Sequence, residues 1–457
     1  MAFSVVVLGA GPAGAATALF LARRGHEVTV LDSNPLPPPL TEHWPRRFSP
    51  HTRQGHIFLA LGTRVLSEEA PDLVRKLIAA GAHQVALPHD STNWNLLARR
   101  RLFDAVVLEA LANEPRVRLL CETPVAGLLI KQSARTASPH VFGVRTADGE
   151  ITGDLVIDAG GWRSPVPGWL AAAQVQLNIF DDPTCFFYLT QHYRLRSGAA
   201  FPSVRVPILV PLDFATVLVF PEDDDHFQLS VQLDLADPTR RALRQRGILE
   251  RFLAAVPKIV PWLEAGEPIS ETEATASVGN CRKQTFDGRP RVTGLLMVGD
   301  AAMHTNPSAA RGVALGLAHA RSLADLLERA DNGDFDPLQL VECWEQATAK
   351  LFDPWLQSQI RIDRERRIQI RSSIEGRPWK KNDALSARIT NGLVALRDCP
   401  TVGAAGDRLF NLLSTPEEIY SDREVMRLVF REARLDPMNH SHIGPTRQQY
   451  ESLVTGS

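Results

Sequence analysis

The residues best suited to chemistry stand at the start of the chain. Val5-Val6-Val7-Leu8 runs into Gly9-Ala10-Gly11-Pro12-Ala13-Gly14, and Asp32 closes the next apolar run, Glu27-Val28-Thr29-Val30-Leu31. Glycines at this spacing let a backbone turn bind the pyrophosphate of a dinucleotide. Gly9 permits the tight turn, Gly11 lets the backbone approach the phosphates, and Gly14 lets the next helix lie close. Pro12 and Ala13 fill the turn and belong to the same candidate cofactor set. Asp32, about twenty residues on, can accept hydrogen bonds from a ribose diol, which favours an adenosine without a 2′-phosphate. The motif by itself does not choose between NAD and FAD.

Elements must position these groups. The β-branched run before Gly9 reads as a parallel strand buried on both faces. Ala15 to Arg24 reads as a helix aiming its first amides at the phosphates, with Gly25 as its C-terminal cap. A stiff polyproline-like exit follows at Asn34 to Pro39. Helical spacing is read over Ile57 to Ala82 and Asp104 to Ala112, then a strand at Val117 to Leu120. A hairpin at 141–149 leads into the strand Leu155-Val156-Ile157. From Cys185 to Leu235 the strands alternate, as in an inserted antiparallel sheet. Thr239 to Val256 returns to helix, Gly294 to Val298 reads as a buried strand, and the chain beyond Ala314 is mostly helical.

At 457 residues the chain is expected to hold about three domains. Its net charge of −2 gives no reason to expect nucleic acid or an anionic membrane as partner. No apolar run approaches the ~18 residues of a membrane span. The first strand starts within a few residues of Met1, leaving no room for a signal peptide, so a cytoplasmic protein is expected. The five cysteines (Cys121, Cys185, Cys281, Cys343 and Cys399) are dispersed without a Cys-x-x-Cys pair. That pattern fits reduced thiols better than a structural zinc. Neither a His-x-x-x-His pair nor a Gly-x-Ser-x-Gly elbow occurs, so no metal and no nucleophile triad is expected.

Two later segments narrow the cofactor. One is Asp154-Leu155-Val156-Ile157-Asp158-Ala159-Gly160-Gly161-Trp162-Arg163-Ser164; the other runs from Gly299-Asp300 through Asn306-Pro307 to Ala310-Arg311-Gly312-Val313 and Gly316. With the N-terminal turn, they resemble the three fingerprints of the para-hydroxybenzoate-hydroxylase-like flavoprotein superfamily. The resemblance reaches about Leu327 and is nearest the polyketide-epoxidase, halogenase and geranylgeranyl-reductase branch. It implies FAD as cofactor. Gly299-Asp300 would offer a carboxylate to the ribityl hydroxyls. The turn at Pro307 would lead to a helix whose amides near Arg311, Gly312 and Val313 face the electron-rich N1–C2=O edge of the isoalloxazine. Arg100, in Arg99-Arg100-Arg101-Leu102-Phe103-Asp104, matches the arginine expected at the pyrophosphate or ribityl region. Arg53 and His56 match a segment that lies beside the flavin in relatives, with Gln54 where histidine is usual.

Departures bear on the electron source. Gly160-Gly161 replaces the Asp-Gly pair that helps bind NADPH in the aromatic hydroxylases. Ala310 replaces the first glycine of Pro-x-x-Gly-x-Gly, and Ala314 a common Asn. No second Gly-x-Gly-x-x-Gly follows a strand, so electrons are expected from transient NAD(P)H docking or from a separate flavin reductase.

The resemblance implies a monooxygenase that hydroxylates or epoxidises a small apolar or aromatic molecule with dioxygen, through a flavin C4a-hydroperoxide. A geranylgeranyl-reductase-like ene reductase is the alternative. A halogenase fits less well, since Trp162 and Trp169 do not form Trp-x-Trp-x-Ile-Pro. No catalytic side chain is assigned, and a lone His304 reads as structural. The fold class is α/β: a discontinuous Rossmann-type FAD-binding domain (1–45, 96–175 and 275–330), an inserted, mostly antiparallel substrate domain (46–95 and 176–274) and a C-terminal helical region (331–457). Substrate-lining candidates are Phe187, Tyr193, Val210, Phe220 and Gln232, with Tyr188 and Gln191 nearby. Phe187 and Tyr188 point to opposite faces and cannot share a cavity. The run Asp363-Arg364-Glu365-Arg366-Arg367 reads as a solvated helix face.

Overall fold

The Val5–Leu8 run is buried on both faces, as its β-branched composition requires, and strand β1 (Ser4–Leu8) holds the centre of a parallel sheet. The structure is a computed structural model that describes residues 2–40, 44, 46, 52, 54–132, 138–206, 208–245, 247–276, 278–330, 336–378, 389, 392–393, 396–432 and 443–455. Pro12 opens helix α1 (Pro12–Arg23), where its missing amide costs nothing, and the chain returns as β2 (Glu27–Leu31). Next come β3 (Gly55–Phe58), α2 (Ala60–Glu69), α3 (Pro71–Ala79), β4 (His83–Leu87), β5 (Asp90–Arg99), α4 (Arg100–Ala112) and β6 (Val117–Leu120). The hairpin strands β7 (Val125–Lys131), β8 (His140–Thr146) and β9 (Gly149–Thr152) lead into β10 (Leu155–Asp158) and α5 (Val166–Ala172).

After β11 (Asn178–Asp182), which pairs with residues Asn280–Gln284, the inserted sheet is built from β12 (Phe186–Leu195), β13 (Ile208–Pro211), β14 (Thr216–Pro221) and β15 (His226–Asp234). Helices α6 (Ile248–Ala254) and α7 (Val260–Ala265) follow, with strands β16 (Gly266–Pro268), β17 (Glu273–Ala276) and β18 (Asn280–Gln284). Strand β19 (Leu295–Met297), the short β20 (Met303–His304), α8 (Gly312–Ala330) and the long α9 (Pro337–Ile374) complete the region that carries the site.

The expected α/β architecture is present. The parallel sheet has the order β19-β10-β1-β2-β6, and the main antiparallel sheet the order β13-β14-β15-β12-β16 with β17 also on β12. Ligands of such parallel sheets bind beyond the carboxyl ends of the strands, and there lie Gly9, Asp32, Asp158 and Gly299-Asp300.

Three differences from the sequence reading have physical causes. The stretch 57–82 is not one helix: β3 runs to Phe58, and Pro71 separates α2 from α3. Thr239 to Val256 is a 3₁₀ segment and α6, parted by Gly247 in the left-handed region at φ 78°. The run 363–367 is only partly a solvated face, with Arg364 exposed. Asp363 is buried, Arg364 pairs with Asp182, and Arg367 and Arg371 lie 3.6 and 3.2 Å from Asp234. Arg366 donates to the carbonyls of Leu212 and Ala215 at 2.6 and 2.5 Å. These partners lie in the turn between β13 and β14, outside any i,i+4 pattern.

The first core joins the parallel sheet to α1, α4 and α8 and includes Ile57, Phe58, Leu66, Leu96 and Leu97, as well as Trp344, Phe352 and Trp355 of α9. Residues 57–97 thus share the core of the nucleotide-type sheet. A second core fills the space between one face of the antiparallel sheet and α6, α7 and the helix Arg447–Thr455. No helix of the described residues is long and apolar enough to cross a membrane.

Candidate functional site: a glycine-lined groove at the carboxyl ends of the parallel strands

The turn after β1 is fixed by its own backbone. Gly9 N–H donates to Leu31 O at 2.7 Å, and Ala10 N–H to Asp32 Oδ2 at 2.7 Å. Asp32 Oδ1 accepts from both the backbone N–H and the side-chain amide of Asn34 at 2.7 Å. Gly14 has no alternative, because a Cβ there would stand 2.0 Å from Gly9 O. Gly11 is different: a Cβ there would meet only Arg100 Nη2, at 3.9 Å. Its free face opens toward that guanidinium, the arrangement a pyrophosphate needs.

Two arginines at this mouth share one buried carboxylate. Arg100 Nε donates to Asp104 Oδ1 at 2.7 Å, and Arg46 Nη1 to Asp104 Oδ2 at 2.6 Å. Arg46 also lies 3.6 Å from Asp32 Oδ2 and stacks on the Trp44 ring. Sequence reasoning missed Arg46 and the role of Asp104; the i,i+4 spacing of Arg100 and Asp104 was the available signal. Arg53 lies outside the described residues. His56 is half-buried, with Nδ1 3.0 Å from Gln54 O.

The third motif packs directly on the first. Gly299 has φ 60°, and a Cβ there would stand 2.6 Å from Ala13 Cβ, so a side chain is excluded by both strain and space. Its N–H donates to His319 Nδ1 at 3.2 Å, and His319 Nε2 lies 2.9 Å from Thr348 Oγ1. Thr348 donates in turn to Trp344 O at 2.7 Å, so His319 is the neutral tautomer protonated on Nε2. Burial holds its pKa well below 6.5.

Asp300 stands at the N-terminus of α8, where its Oδ1 would be 3.7 Å from a Cβ on Gly312. Burial raises its pKa, while the charges of Arg100 and Lys283 pull the other way. Its carboxylate accepts no hydrogen bond from a described residue, whereas its backbone is a partner of His304. Pro307 begins a 3₁₀ turn capped by Asn306, and Ala310 sits in the left-handed region at φ 54°, ψ 25°. The side chain of Arg311 turns away to α9, where Nη1 donates to Gln359 Oε1 at 3.0 Å and the guanidinium lies over Trp355. Only the backbone around Arg311, Gly312 and Val313 faces the helix opening.

The middle motif is anchored by Asp158, which is fully buried and whose pKa burial raises. Its Oδ1 accepts from Gly160 N–H at 3.0 Å, and Ser164 Oγ lies 2.8 and 2.7 Å from its two oxygens. Trp162 approaches His304, with ring centroids 6.2 Å apart. Burial, then the Lys283 charge, depresses His304 to about 4.

The antiparallel sheet turns one face toward this groove. Gln232 Nε2 donates to Tyr188 OH at 2.9 Å, and Tyr188 OH donates to Asn306 Oδ1 at 2.9 Å. Phe220, on the same face by alternation, packs against the first core. Tyr193 and Val210 lie on the opposite face, inside the second core, with Tyr193 stacked on Phe227. Phe187 shares that face and lies under Arg240. Of the five substrate candidates, only Gln232 and Phe220 are brought to the groove side.

The groove fits a large polar cofactor on its own evidence. Gly11 leaves room beside an oriented arginine. Lys283 Nζ and His304 Nδ1 are buried without a hydrogen-bond partner among the described residues, as expected where a ligand supplies one. Residues 4–90 match the family model for FAD dependent oxidoreductases. Menaquinone reductase of Mycobacterium tuberculosis (strain ATCC 25618 / H37Rv) is 26% identical over 362 residues, 74% of this chain and 79% of that protein. PqsL, a probable FAD-dependent monooxygenase from Pseudomonas aeruginosa, aligns with a TM-score of 0.63 at 17% identity, covering 82% of this chain and 100% of PqsL. CmlS, a flavin-dependent halogenase, gives 0.62 at 18%, covering 94% and 77%. OxyS anhydrotetracycline hydroxylase from Streptomyces rimosus gives 0.57 at 17%, covering 91% and 77%.

Residues 4–90, which carry the glycine turn, thus match the model for FAD dependent oxidoreductases, and the fold around them is one found in flavin-dependent enzymes of known structure. The likeness to PqsL, CmlS and OxyS is one of fold.

Proposed function

We propose that this chain is an FAD-dependent monooxygenase that hydroxylates or epoxidises a small apolar or aromatic molecule. One observation carries the reading. The carboxyl ends of β1, β2, β10 and β19 lie side by side along one edge of the parallel sheet, and the turn after β20 is bonded to the antiparallel sheet through Asn306 and Tyr188.

In this reading the Gly9–Gly14 turn, with Pro12 and Ala13, and the first amides of α1 hold the pyrophosphate. Arg100, oriented by Asp104, neutralises it. Asp32 binds the adenosine ribose and Asp300 the ribityl chain. The backbone around Arg311, Gly312 and Val313, at the positive end of α8, faces the pyrimidine edge of the isoalloxazine. Bound and reduced, FAD would supply the electrons and the activated dioxygen that such a reaction needs. The chain's own tasks are to exclude water and to hold a substrate against the Tyr188–Gln232 face. Electrons come from NAD(P)H docking transiently or from a separate reductase; NADH or NADPH oxidation by the pure protein separates these sources.

A second reading, reduction of a prenyl double bond, is favoured by the likeness to menaquinone reductase. Oxygen discriminates the two. With reduced flavin and a candidate substrate, product formed only in air supports oxygen insertion, and product formed anaerobically supports the reductase. The pure protein is expected to be yellow and to release FAD on denaturation. Asp300→Ala removes charged hydrogen-bond acceptors worth about 1.5–3 kcal/mol each, so FAD should bind at least about tenfold more weakly. Unchanged FAD affinity would refute the role given to Asp300.

A further inference from the structure

A buried polar chain joins the antiparallel sheet to α9 through the turn before α8. From Gln232 and Tyr188 it reaches Asn306, whose Nδ2 donates to Asp363 Oδ1 at 3.1 Å. Asp363 also accepts from Asn280 Nδ2 at 3.0 Å and Gln359 Nε2 at 2.8 Å. Gln359 bonds Ser308 Oγ at 3.1 Å and accepts from Arg311. Asp363 is 2% exposed, yet no cation among the described residues is bonded to it. A buried carboxylate held by amides alone is a costly way to anchor a helix, for which apolar packing would serve.

We infer that Asp363 is a positioning residue for the turn Asn306–Val313, holding it through Asn306 on one side and through Gln359 and Arg311 on the other. The inference rests on the reading that this turn faces the isoalloxazine. It assigns α9, beyond the reach of the three sequence motifs, a direct hold on the cofactor's electron-rich edge. A carboxylate behind that turn opposes the negative charge of reduced flavin, so its ionisation lowers the flavin's midpoint potential.

Burial pushes the Asp363 carboxyl up to about 6, against the pull of its three amide donors and the Arg311 charge. Arg311 faces it from α8 and Tyr188 from β12. Beyond Arg311, Tyr420 of the helix Pro416–Ser421 feels Arg311 together with Arg361 and Glu365 of α9.

The experiment is a redox titration of the FAD-loaded protein from pH 5 to 8, with FAD affinity measured alongside. In the wild type the potential should fall more steeply just above pH 6. Asp363→Asn should lose that break, raise the potential at pH 8 and bind FAD more weakly. Tyr188→Phe cuts the same chain at its sheet end. It should keep the break and weaken FAD binding about fivefold, the worth of one ordinary hydrogen bond. If Asp363→Asn does not fold, as read by circular dichroism, the wild-type break and Tyr188→Phe decide the matter. A break in Asp363→Asn like that of the wild type, no break in the wild type, or unchanged FAD affinity in Tyr188→Phe would overturn the inference and leave FAD binding standing. A wild type that neither holds nor takes up FAD would instead overturn the functional reading.

Discussion

At the scale of single residues, Ala310 is where this chain departs, at an energetic cost, from the motif that it resembles. The related motif has glycine there, and the backbone explains why: φ is 54° and ψ 25°. An L-residue in that conformation is strained by roughly 1–2 kcal/mol. Ala310→Gly relieves the strain but gives the unfolded chain more freedom, which costs about 0.5–1 kcal/mol. The net expectation is a gain of about 0.5–1 kcal/mol, read as a higher urea midpoint at unchanged slope. A lower midpoint would mean that the methyl group's packing against the first core outweighs the strain. The substitution was plain in the sequence; the strain was not, because it depends on a dihedral angle fixed by the turn's neighbours.

Among elements, α8 does more than present its first amides. From about two turns deeper it holds Gly299 N–H through His319, which is stacked on Trp344 at 4.2 Å and closed by Thr348. The Gly299-Asp300 turn is therefore set by α8 and α9 together. His319→Leu would leave the Gly299 amide and the Thr348 hydroxyl without their partner, at about 1–3 kcal/mol, and should weaken FAD retention with it. Acid should act on the same point. Unfolded, this histidine takes up a proton near 6.5; folded, burial keeps it neutral. The stability it contributes is full above pH 6.5 and falls as the pH drops below it. His319→Gln should lessen the acid-side loss by up to about 1.4 kcal/mol per pH unit; an identical pH profile would refute the neutral state assigned here. The glycine turns, Asp32 and Asp300 were legible in the sequence because each is defined by neighbours within a few residues. The β3–β5–β4 sheet, Arg46 and His319 were not, since each is defined by a partner from a distant segment. Alternation correctly separated Phe187 from Tyr188 but could not say which face α6, α7 and the last helix would cover. Tyr193 and Val210 went to that covered face.

For the whole molecule, the question is how the antiparallel sheet is joined to the parallel-sheet core, since a substrate must lie between them. One joint is the acidic turn after β14. Asp223 accepts from Arg99 N–H and from its guanidinium, Asp224 N–H donates to Gly81 O, and Gln228 Oε1 accepts from Gly55 N–H at 2.9 Å. Glu222 is sealed inside this joint. A Cβ on Gly55 would stand 2.3 Å from Glu222 Oε1, and that oxygen has no hydrogen-bond partner among the described residues. Burial, with the Asp223 charge behind it, raises the Glu222 pKa to about 8 against the opposing charge of Arg99. The folded protein therefore holds a proton at neutral pH that the unfolded chain has lost above 4.5. By linkage, stability from this group is full below 4.5 and drains away as pH rises through about 8, at up to about 1.4 kcal/mol per unit. Glu222→Gln keeps the shape and removes the titration. Its denaturant midpoint should stay level between pH 6 and 8 while that of the wild type falls, so the variant is the more stable protein at pH 8. Parallel curves for the two proteins would mean that water reaches this carboxyl, and that the two sheets part at this joint in solution.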